Sequence, residues 1–244
     1  MKKSKTNTKK RVIVFTVLAG LLIVGGVLFC LFGLPYIRRH YQTVHVNRAE
    51  AARMDPVDMG DRNGLIVYFT RVGNTDFEPD VDAVSSASVV RTEDGIAGNA
   101  QLMARWIAEE TGGRLFELRT AEKYPADYTE TANAAAEEQA RNARPAPAPV
   151  PEGLDRCSAV YLVFPNWRSD LPMALCTFFE GHDFTGRTLY VSVTHGGSGF
   201  SRTVSTIEEL EPGALVAEGP SIRDSDVPGA EDPVRQWARE TVAS

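Results

Sequence analysis

The sequence predicts an α/β domain built on a parallel β-sheet and preceded by one transmembrane helix. Three observations support this prediction. An uncharged apolar run covers residues 12–37, short apolar runs alternate with helical patterns after it, and polar or glycine-rich turns follow three of these runs. The predicted organisation is a basic cytoplasmic tail (1–11), a transmembrane anchor (12–37), a tether (38–62) and a folded domain (63–244).

The anchor is predicted from the length of the uncharged run, which exceeds the ~20 residues that an apolar helix needs to cross a bilayer. A cleaved signal peptide is the alternative, but the run is longer than a signal core of about 7–15 residues and lacks a small-x-small cleavage site. Six basic residues precede the run and two follow it directly. This bias predicts a single-pass protein of the cell membrane with an extracytoplasmic domain.

The charge balance of the remaining chain excludes one class of partner. The first 48 residues contain nine Lys or Arg and no Asp or Glu, which leaves 17 basic and 32 acidic residues, a net charge of −15. Such a domain repels the phosphate backbone of nucleic acid and favours a basic protein partner. The four His and three Cys show no metal-ligand spacing, so no metal site is predicted.

Strands and helices alternate along the domain. Continuous apolar runs predict strands buried on both faces, and apolar residues at a spacing of three or four predict helices. Such an alternation forms a parallel sheet covered on both sides, and ligands bind beyond the carboxyl ends of its strands. The predicted strands are 65–69, 115–118, 159–164, 188–194 and 214–217, and the predicted helices are 99–111, 128–143, 171–180, 201–210 and 233–241.

Three turns at that edge contain candidate binding residues. The first, 70–75, combines hydroxyls with a Gly-Asn pair, which suits a phosphate held by backbone amides at a helix start. The second, 165–172, contains Trp167, which could stack on a planar ligand or cap the core. The third, 194–200, has glycines that let the backbone approach a flat ring; a plain helix start capped by Ser198 explains only part of this pattern.

Together the turns resemble the motifs of the flavodoxin-like family, in the group with sequences close to YFSRTGNT, PIWWGTLPMPVYTFLE and THGGSGFG. This chain has YFTRVGNT at 68–75, PNWRSDLPMALCTFFE at 165–180 and THGGSGFS at 194–201. The resemblance runs from Gly64 to the C-terminus. It implies a three-layer sandwich whose five-stranded parallel sheet has the order 2-1-3-4-5, with FMN bound at the switch point.

The resemblance also implies which residues hold FMN. In the family a single run, SRTGNTxxxA, supplies the phosphate hydroxyls and opens the helix, whereas here a second Gly-Asn pair precedes the helix. We interpret residues 72–97 as an insertion that splits the phosphate loop, and both Gly-Asn pairs stay candidates. The implied FMN-binding residues are Thr70, Arg71, Gly73, Asn74, Thr75, Gly98, Asn99, Ala100, Pro165, Asn166, Trp167, Arg168, Thr194, His195, Gly196, Gly197, Ser198, Gly199 and Phe200.

Departures from the family motifs leave two functions open. Ala100 lacks a phosphate hydroxyl, and Arg168-Ser169 replaces a second Trp and a Gly, with Phe200 as a substitute aromatic wall. Arg168 would either favour a reduced, negatively charged flavin or be solvated. The chain is therefore expected to be a membrane-anchored FMN protein, either an electron carrier or a quinone-reductase-like oxidoreductase with an unidentified redox partner. The alternative is a flavodoxin-fold binding module that has lost FMN.

A hydrolase is a third, disfavoured function. His195, Ser198 and Asp170 are the residue types of a triad, but no Gly-x-Ser-x-Gly elbow occurs in the chain. No catalytic residue is predicted.

Overall fold

The structure is a computed structural model of the 244-residue chain. It describes residues 20–21, 23–29, 31, 43–44, 64–77, 88–92, 95–147 and 157–243. The chain divides into two compact units, Met1–Gln42 and Thr43–Ser244.

In the first unit, the described residues between 20 and 31 are helical, and their large apolar side chains are exposed. Within the described residues, no helix is long and apolar enough to cross a membrane. Most of the run 12–37, on which the anchor was predicted, lies outside them.

The second unit contains the predicted alternation of strands and helices. Single 3-10 turns occur at Val72–Asn74 and Val227–Gly229. The strands are β1 (Thr43–Val44), β2 (Gly64–Tyr68), β3 (Val89–Thr92), β4 (Gly95–Gly98), β5 (Arg114–Glu117), β6 (Ala159–Pro165), β7 (Thr188–His195) and β8 (Leu215–Arg223). The helices are α1 (Asn99–Thr111), α2 (Tyr128–Ala140), α3 (Met173–Glu180), α4 (Thr203–Leu210) and α5 (Glu231–Ala243).

The main sheet has five strands in the order β5-β2-β6-β7-β8, and all its pairings are parallel. Numbered along the chain, this is the order 2-1-3-4-5, so the predicted sheet is confirmed. Side chains of β2 alternate between two hydrophobic clusters, with Leu65 and Val67 in one and Ile66 and Tyr68 in the other. Because each face of the sheet needs an apolar cover, the strand reads as one continuous apolar run.

Helices cover both faces. The side chains of α3 pack in the cluster that contains Leu65, and those of α1 and α5 pack in the cluster that contains Ile66. An ion network joins α1 to α5: Arg235 contacts Glu109, Glu110 (3.1 Å) and Glu231 (2.9 Å). This network fixes the two helices side by side on one face.

A β-hairpin between β2 and α1 was not predicted. Strands β3 and β4 pair antiparallel, and β1 pairs parallel to β3, which forms a second, three-stranded sheet. The signal was present in the sequence, because Asp94-Gly95 separates two short apolar runs, a pattern typical of a tight hairpin. Gly95 has φ +125°, a conformation that L side chains rarely adopt.

The last strand is also longer than predicted. β8 runs over nine residues, whereas the sequence predicted only 214–217. It lies at the sheet edge with half-buried and exposed side chains. Because several of its residues are polar, it lacks the continuous apolar run by which a strand is predicted from sequence.

Candidate functional site

The turns after β6 and β7 are hydrogen-bonded to each other at the carboxyl edge of the sheet. The Asn166 amide donates to the Thr194 carbonyl (2.7 Å), and its side-chain Nδ2 donates to the carbonyls of Gly199 (2.8 Å) and Phe200 (3.2 Å). The Arg202 amide donates to the Ser169 carbonyl (3.1 Å). Because β6 and β7 are neighbours, these two turns form one continuous wall, as the sequence predicted from strand order.

The two halves of the split loop also meet. A Cβ built on Gly98 would lie 2.7 Å from Cβ of Thr70, so the end of β4 lies directly against the residue that follows β2. Gly98 is the N-cap of α1 and Asn99 its first residue. The prediction that the second Gly-Asn pair opens the helix is confirmed, and the hairpin is accommodated without separating the two halves.

In the first Gly-Asn pair, the side chain of Asn74 is fully used by the protein. Its Nδ2 donates to the carbonyls of Thr70 (2.8 Å) and Leu118 (3.1 Å), and its Oδ1 accepts from the amide (2.7 Å) and hydroxyl (3.1 Å) of Thr120. A primary amide has no further capacity to bind a ligand once both donors and its oxygen are engaged. Asn74 therefore fixes the turn to the segment after β5.

In the second pair, the side chain of Asn99 has no such partners. It is completely buried, yet neither its Oδ1 nor its Nδ2 has a hydrogen-bond partner among the described residues. The backbone amides of Gly98 and Asn99 donate to Gln101 Oε1 (3.1 Å) and to the Ser88 carbonyl (3.0 Å), and the glycine N-cap has no side chain that could accept from the amides after them. A buried amide beside uncapped helix amides is the arrangement that an anion would complete.

Among the other buried polar atoms without a partner in the described part of the chain, three lie at or just after the carboxyl ends of strands at this same edge. They are Oγ1 of Thr75 after β2, Oδ1 of Asn166 after β6 and Oγ1 of Thr194 in β7. Buried polar atoms are almost always hydrogen-bonded in folded proteins. Together with Asn99, these atoms mark the carboxyl edge as incomplete without a polar ligand.

The Arg71 side chain is buried and makes hydrogen bonds within the protein. Its guanidinium is 1% exposed and donates to the carbonyls of Pro125 (3.3 Å) and Ala126 (2.9 Å) and to the Thr131 hydroxyl (3.3 Å). Burial lowers the pKa of Arg71. The predicted site residue thus holds the segment that leads into α2.

Gly73 lies beside a carboxylate that the sequence analysis missed. A Cβ on Gly73 would be 2.1 Å from Oε1 of Glu117, and Glu117 is paired with Arg119 through bonds of 2.5 and 2.7 Å. The hydrogen bonds that Arg119 donates to Glu117 raise the pKa of Arg119, so the guanidinium keeps its positive charge beside this carboxylate. No local pattern could have revealed this contact, because it depends on the pairing of β2 with β5.

Trp167 is packed into the core. It is 8% exposed and makes edge contacts with the rings of Phe69 (5.2 Å between centroids) and Tyr124 (4.9 Å). Gln139 donates to its carbonyl (3.1 Å). This placement matches the core-capping alternative, and Phe200 is likewise half-buried against the same cluster. Stacking of either ring on a ligand stays a prediction.

The exposed part of the second turn is Arg168-Ser169, not its tryptophan. Both residues have positive φ, +52° and +65°, where most side chains are disfavoured by about 1–2 kcal/mol. Non-glycine residues held in this region cluster at ligand sites. Pro165, in contrast, is buried at the end of β6, and Ala100 is buried in the first turn of α1.

The third turn is exposed and shaped by glycine. Gly197 has φ +135° and Gly199 has φ +62°, and a Cβ on Gly197 would lie 2.9 Å from the guanidinium of Arg223. Gly196 and Ser198 are exposed next to them. The backbone of this exposed turn is accessible, although the Gly197 amide itself donates within the turn, to Nδ1 of His195 (2.9 Å). Approach of a flat ligand to this turn stays a prediction.

The triad considered for a hydrolase is not formed in the described part of the chain. Nδ1 of His195 accepts from the Gly197 amide (2.9 Å), and the Asp170 carboxylate binds the Leu171 amide (2.9 Å) and Arg202 (3.4 Å). The His195 ring and the Asp170 carboxylate are therefore engaged with partners outside the triad.

The comparison with protein families decides the relationship. The family model Flavodoxin_4, described as flavodoxin, matches residues 92–241, more than half of the chain. The chain belongs to the flavodoxin family. The match begins within β3 and so lies beyond the first loop motif, 68–75.

Solved structures share the flavodoxin fold. A candidate flavoprotein from Bacteroides uniformis ATCC 8492 has 24% identity and a TM-score of 0.54, over 72% of this chain and 96% of that one. Another from Bacteroides eggerthii DSM 20697 has 20% identity and a TM-score of 0.54, over 75% of this chain and 98% of that one. Among curated proteins, no sequence matches this flavodoxin significantly.

Proposed function

We propose that this flavodoxin binds FMN at the carboxyl edge of its main sheet and carries electrons from the membrane surface. The observation that carries the proposal is the set of unpartnered buried polar atoms of Thr75, Asn99, Asn166 and Thr194. They follow β2, β6 and β7 or open α1, where ligands bind in doubly wound sheets. Membership in the flavodoxin family indicates that the ligand at this edge is FMN.

The phosphate would be held at the start of α1. The first-turn backbone amides that follow Asn99 and the side-chain amide of Asn99 would supply donors, and the hydroxyls of Thr70 and Thr75 lie in the adjoining loop. Because no lysine takes part, attraction comes from oriented dipoles rather than from a full positive charge. The Glu117–Arg119 pair keeps the nearby carboxylate compensated, which limits its repulsion of the phosphate.

The ring would lie against the wall formed by the turns after β6 and β7. Asn166 Oδ1 can accept a hydrogen bond at its edge, the Thr194 hydroxyl can donate or accept one, and the exposed Gly196-Gly197 backbone can approach its face. When bound, FMN supplies the electron-transfer chemistry, and the protein sets its position and surrounding charge. Arg168, exposed in this wall, would favour added negative charge on the ring in a domain that is otherwise acidic.

The first test is the cofactor content of the full-length protein. Purified protein should show flavin absorbance, and the released cofactor should be FMN rather than FAD or riboflavin by chromatography. Folded protein that contains no flavin and takes up no added FMN would refute the proposal and leave the binding module. Adding a quinone to reduced protein then distinguishes a quinone-reductase-like activity from transfer to a protein partner.

The anchor is part of the same proposal. It rests on the uncharged run 12–37 and the basic residues around it. Full-length protein should stay in the membrane fraction after a carbonate wash, whereas a version without residues 1–48 should not. If the mature protein begins near residue 40, the signal-peptide alternative is correct.

A further inference from the structure

A cavity of about 470 Å³ lies between the end of α2, the turn after β6 and the helices α3 and α4. Its volume is within the range of small-molecule sites, about 300–1,000 Å³. Of the residues implied to bind FMN, the cavity includes Arg168 alone. It is therefore a separate space that adjoins the proposed flavin wall at one residue.

The charge of this cavity is opposite to that of the domain. Three arginines line it, Arg144, Arg168 and Arg202, against two acidic residues, although acidic residues outnumber basic ones 32 to 17 after residue 48. One of the acids, Asp170, is already paired with Arg202 (3.4 Å). A local excess of arginine in an otherwise acidic protein favours anions in this cavity, whereas the surrounding acidic surface favours cations.

Two of the arginines retain unused binding capacity. Arg168 makes no hydrogen bond or ion pair to any residue that the structure describes, and it is held outward by a left-handed backbone. Arg144 is largely engaged: Nη2 contacts Glu180 (2.6 Å), and Nη1 donates to Asn142 and to the Ala143 carbonyl (2.8–3.0 Å). Its buried Nε is the donor that has no partner among the described residues. Arginine forks bind carboxylate and phosphate oxygens with two parallel bonds, which suits Arg168, whereas Arg144 adds its charge and one donor.

A buried hydroxyl adds a third, uncharged donor. Oγ1 of Thr206, on the α4 wall, also lacks a partner in the described structure. The carbonyl to which a helical threonine usually donates, that of Arg202, instead accepts from the Ser205 hydroxyl (2.9 Å). The Thr206 hydroxyl therefore has no partner on its own helix among the described residues and remains a donor in the cavity wall.

We propose that this cavity binds a small organic anion through a carboxylate or phosphate group, with Arg168 and Arg144 as charge partners and Thr206 as a hydrogen-bond donor. The site does not require the flavin, so its existence is independent of the proposed function. Arg168 belongs to both walls, which places a bound anion next to the proposed ring site.

The test uses full-length protein with saturating FMN, so that added anions cannot compete for the flavin phosphate position. Phenyl phosphate and benzoate are the two probes, and benzyl alcohol is the uncharged control. Saturation-transfer NMR titrations at constant ionic strength give the dissociation constants. Binding of phenyl phosphate alone identifies a phosphate site, binding of benzoate alone a carboxylate site, and binding of both a general anion site.

Variants locate the binding. Arg168→Gln should raise the dissociation constant of the bound probe about tenfold or more, as expected for the loss of a hydrogen bond to a charged group. Thr206→Val should raise it several-fold. Arg141→Gln is the matched control, because Arg141 is an exposed arginine at the end of α2 that does not line the cavity. The proposal is overturned if neither anion binds, if benzyl alcohol binds equally well, or if Arg168→Gln and Arg141→Gln have the same effect. Arg168 is exposed, so its substitution leaves the fold intact.

Discussion

Replacement of Asn99 by alanine should stabilise the flavin-free protein and weaken FMN binding at the same time. The Asn99 side chain is completely buried without a hydrogen-bond partner in the described structure. Such a group destabilises the folded state by about 1–3 kcal/mol, so its removal stabilises the protein. The smaller alanine side chain loses packing contacts, which offsets part of that gain. We expect a net gain of about 1 kcal/mol, which raises Tm by about 2–4 °C for a domain of this size.

The effect on FMN has the opposite sign. If the Asn99 amide donates to the phosphate, its loss removes a hydrogen bond to a charged group, worth about 1.5–3 kcal/mol. The dissociation constant should then rise by about tenfold to a hundredfold. Calorimetric or fluorimetric melting without flavin, and fluorescence titration with FMN, measure the two effects on the same preparations.

Asn74→Ala is the matched control, because Asn74 is the asparagine of the other Gly-Asn pair. Its amide makes four hydrogen bonds within the protein, to Thr70, Leu118 and twice to Thr120. Its removal leaves buried partners unsatisfied, so stability should fall by about 2–4 kcal/mol with or without FMN. If Asn99→Ala lowers the Tm of flavin-free protein as Asn74→Ala does, or leaves FMN affinity unchanged, the assignment of the phosphate site is wrong.

Four further predictions test other contacts. Gly219→Ala should destabilise the protein by about 1–3 kcal/mol in chemical unfolding, because the new Cβ would lie 2.6 Å from the Trp237 ring and 2.7 Å from the Ser192 hydroxyl. Gly229→Ala is the control and should be near neutral, because a Cβ at Gly229 would have no atom within 4 Å. Arg119→Gln should weaken FMN binding by about 1 kcal/mol or less by leaving Glu117 unpaired, and added salt should reduce the difference; a salt-independent loss would point to a different cause. Burial would raise the pKa of Glu110, but hydrogen bonds from Arg235 and Arg239 outweigh it and hold the pKa below its ordinary 4.5. The stability difference between wild type and Arg235→Met should therefore be fully present above pH 4.5 and should shrink as the pH falls through the lowered pKa of Glu110. Urea unfolding at a series of pH values measures this difference. Burial raises the pKa of Cys176 to about 11, so iodoacetamide at pH 8 should label it only after denaturation, and rapid labelling of native protein, detected by peptide mass spectrometry, would contradict its buried position.

The placement of arginine and acid in this protein gives the two proposed sites different characters. The phosphate region relies on amides and hydroxyls, with its nearest acid compensated by Arg119. The cavity beside α2 relies on arginine side chains. Arg168 would interact with both an anion in the cavity and a negative charge on the ring. Binding at one site should therefore alter binding at the other, by an amount that falls as the distance between the two charges increases.

The sequence by itself determined the domain and its binding edge. Apolar runs such as 65–69 and 159–164 require cover on both faces, and their alternation with helices leaves few topologies. Parallel strands bring the turns at 70–75, 165–172 and 194–200 to one edge, which is why a candidate site could be placed at that edge from the sequence alone. The hairpin at 89–98 could also have been predicted, since Asp94-Gly95 carried its signal.

Only the tertiary structure decided which of these residues remain available to a ligand. Asn74 and Asn99 stand in identical Gly-Asn pairs, but Asn74 is satisfied by Thr120, 46 residues away, and Asn99 by no described residue. Trp167 is likewise taken into the core by Phe69 and Tyr124. Local sequence sets backbone conformation and polarity, whereas the satisfaction of a buried polar group depends on partners that folding brings together from distant parts of the chain.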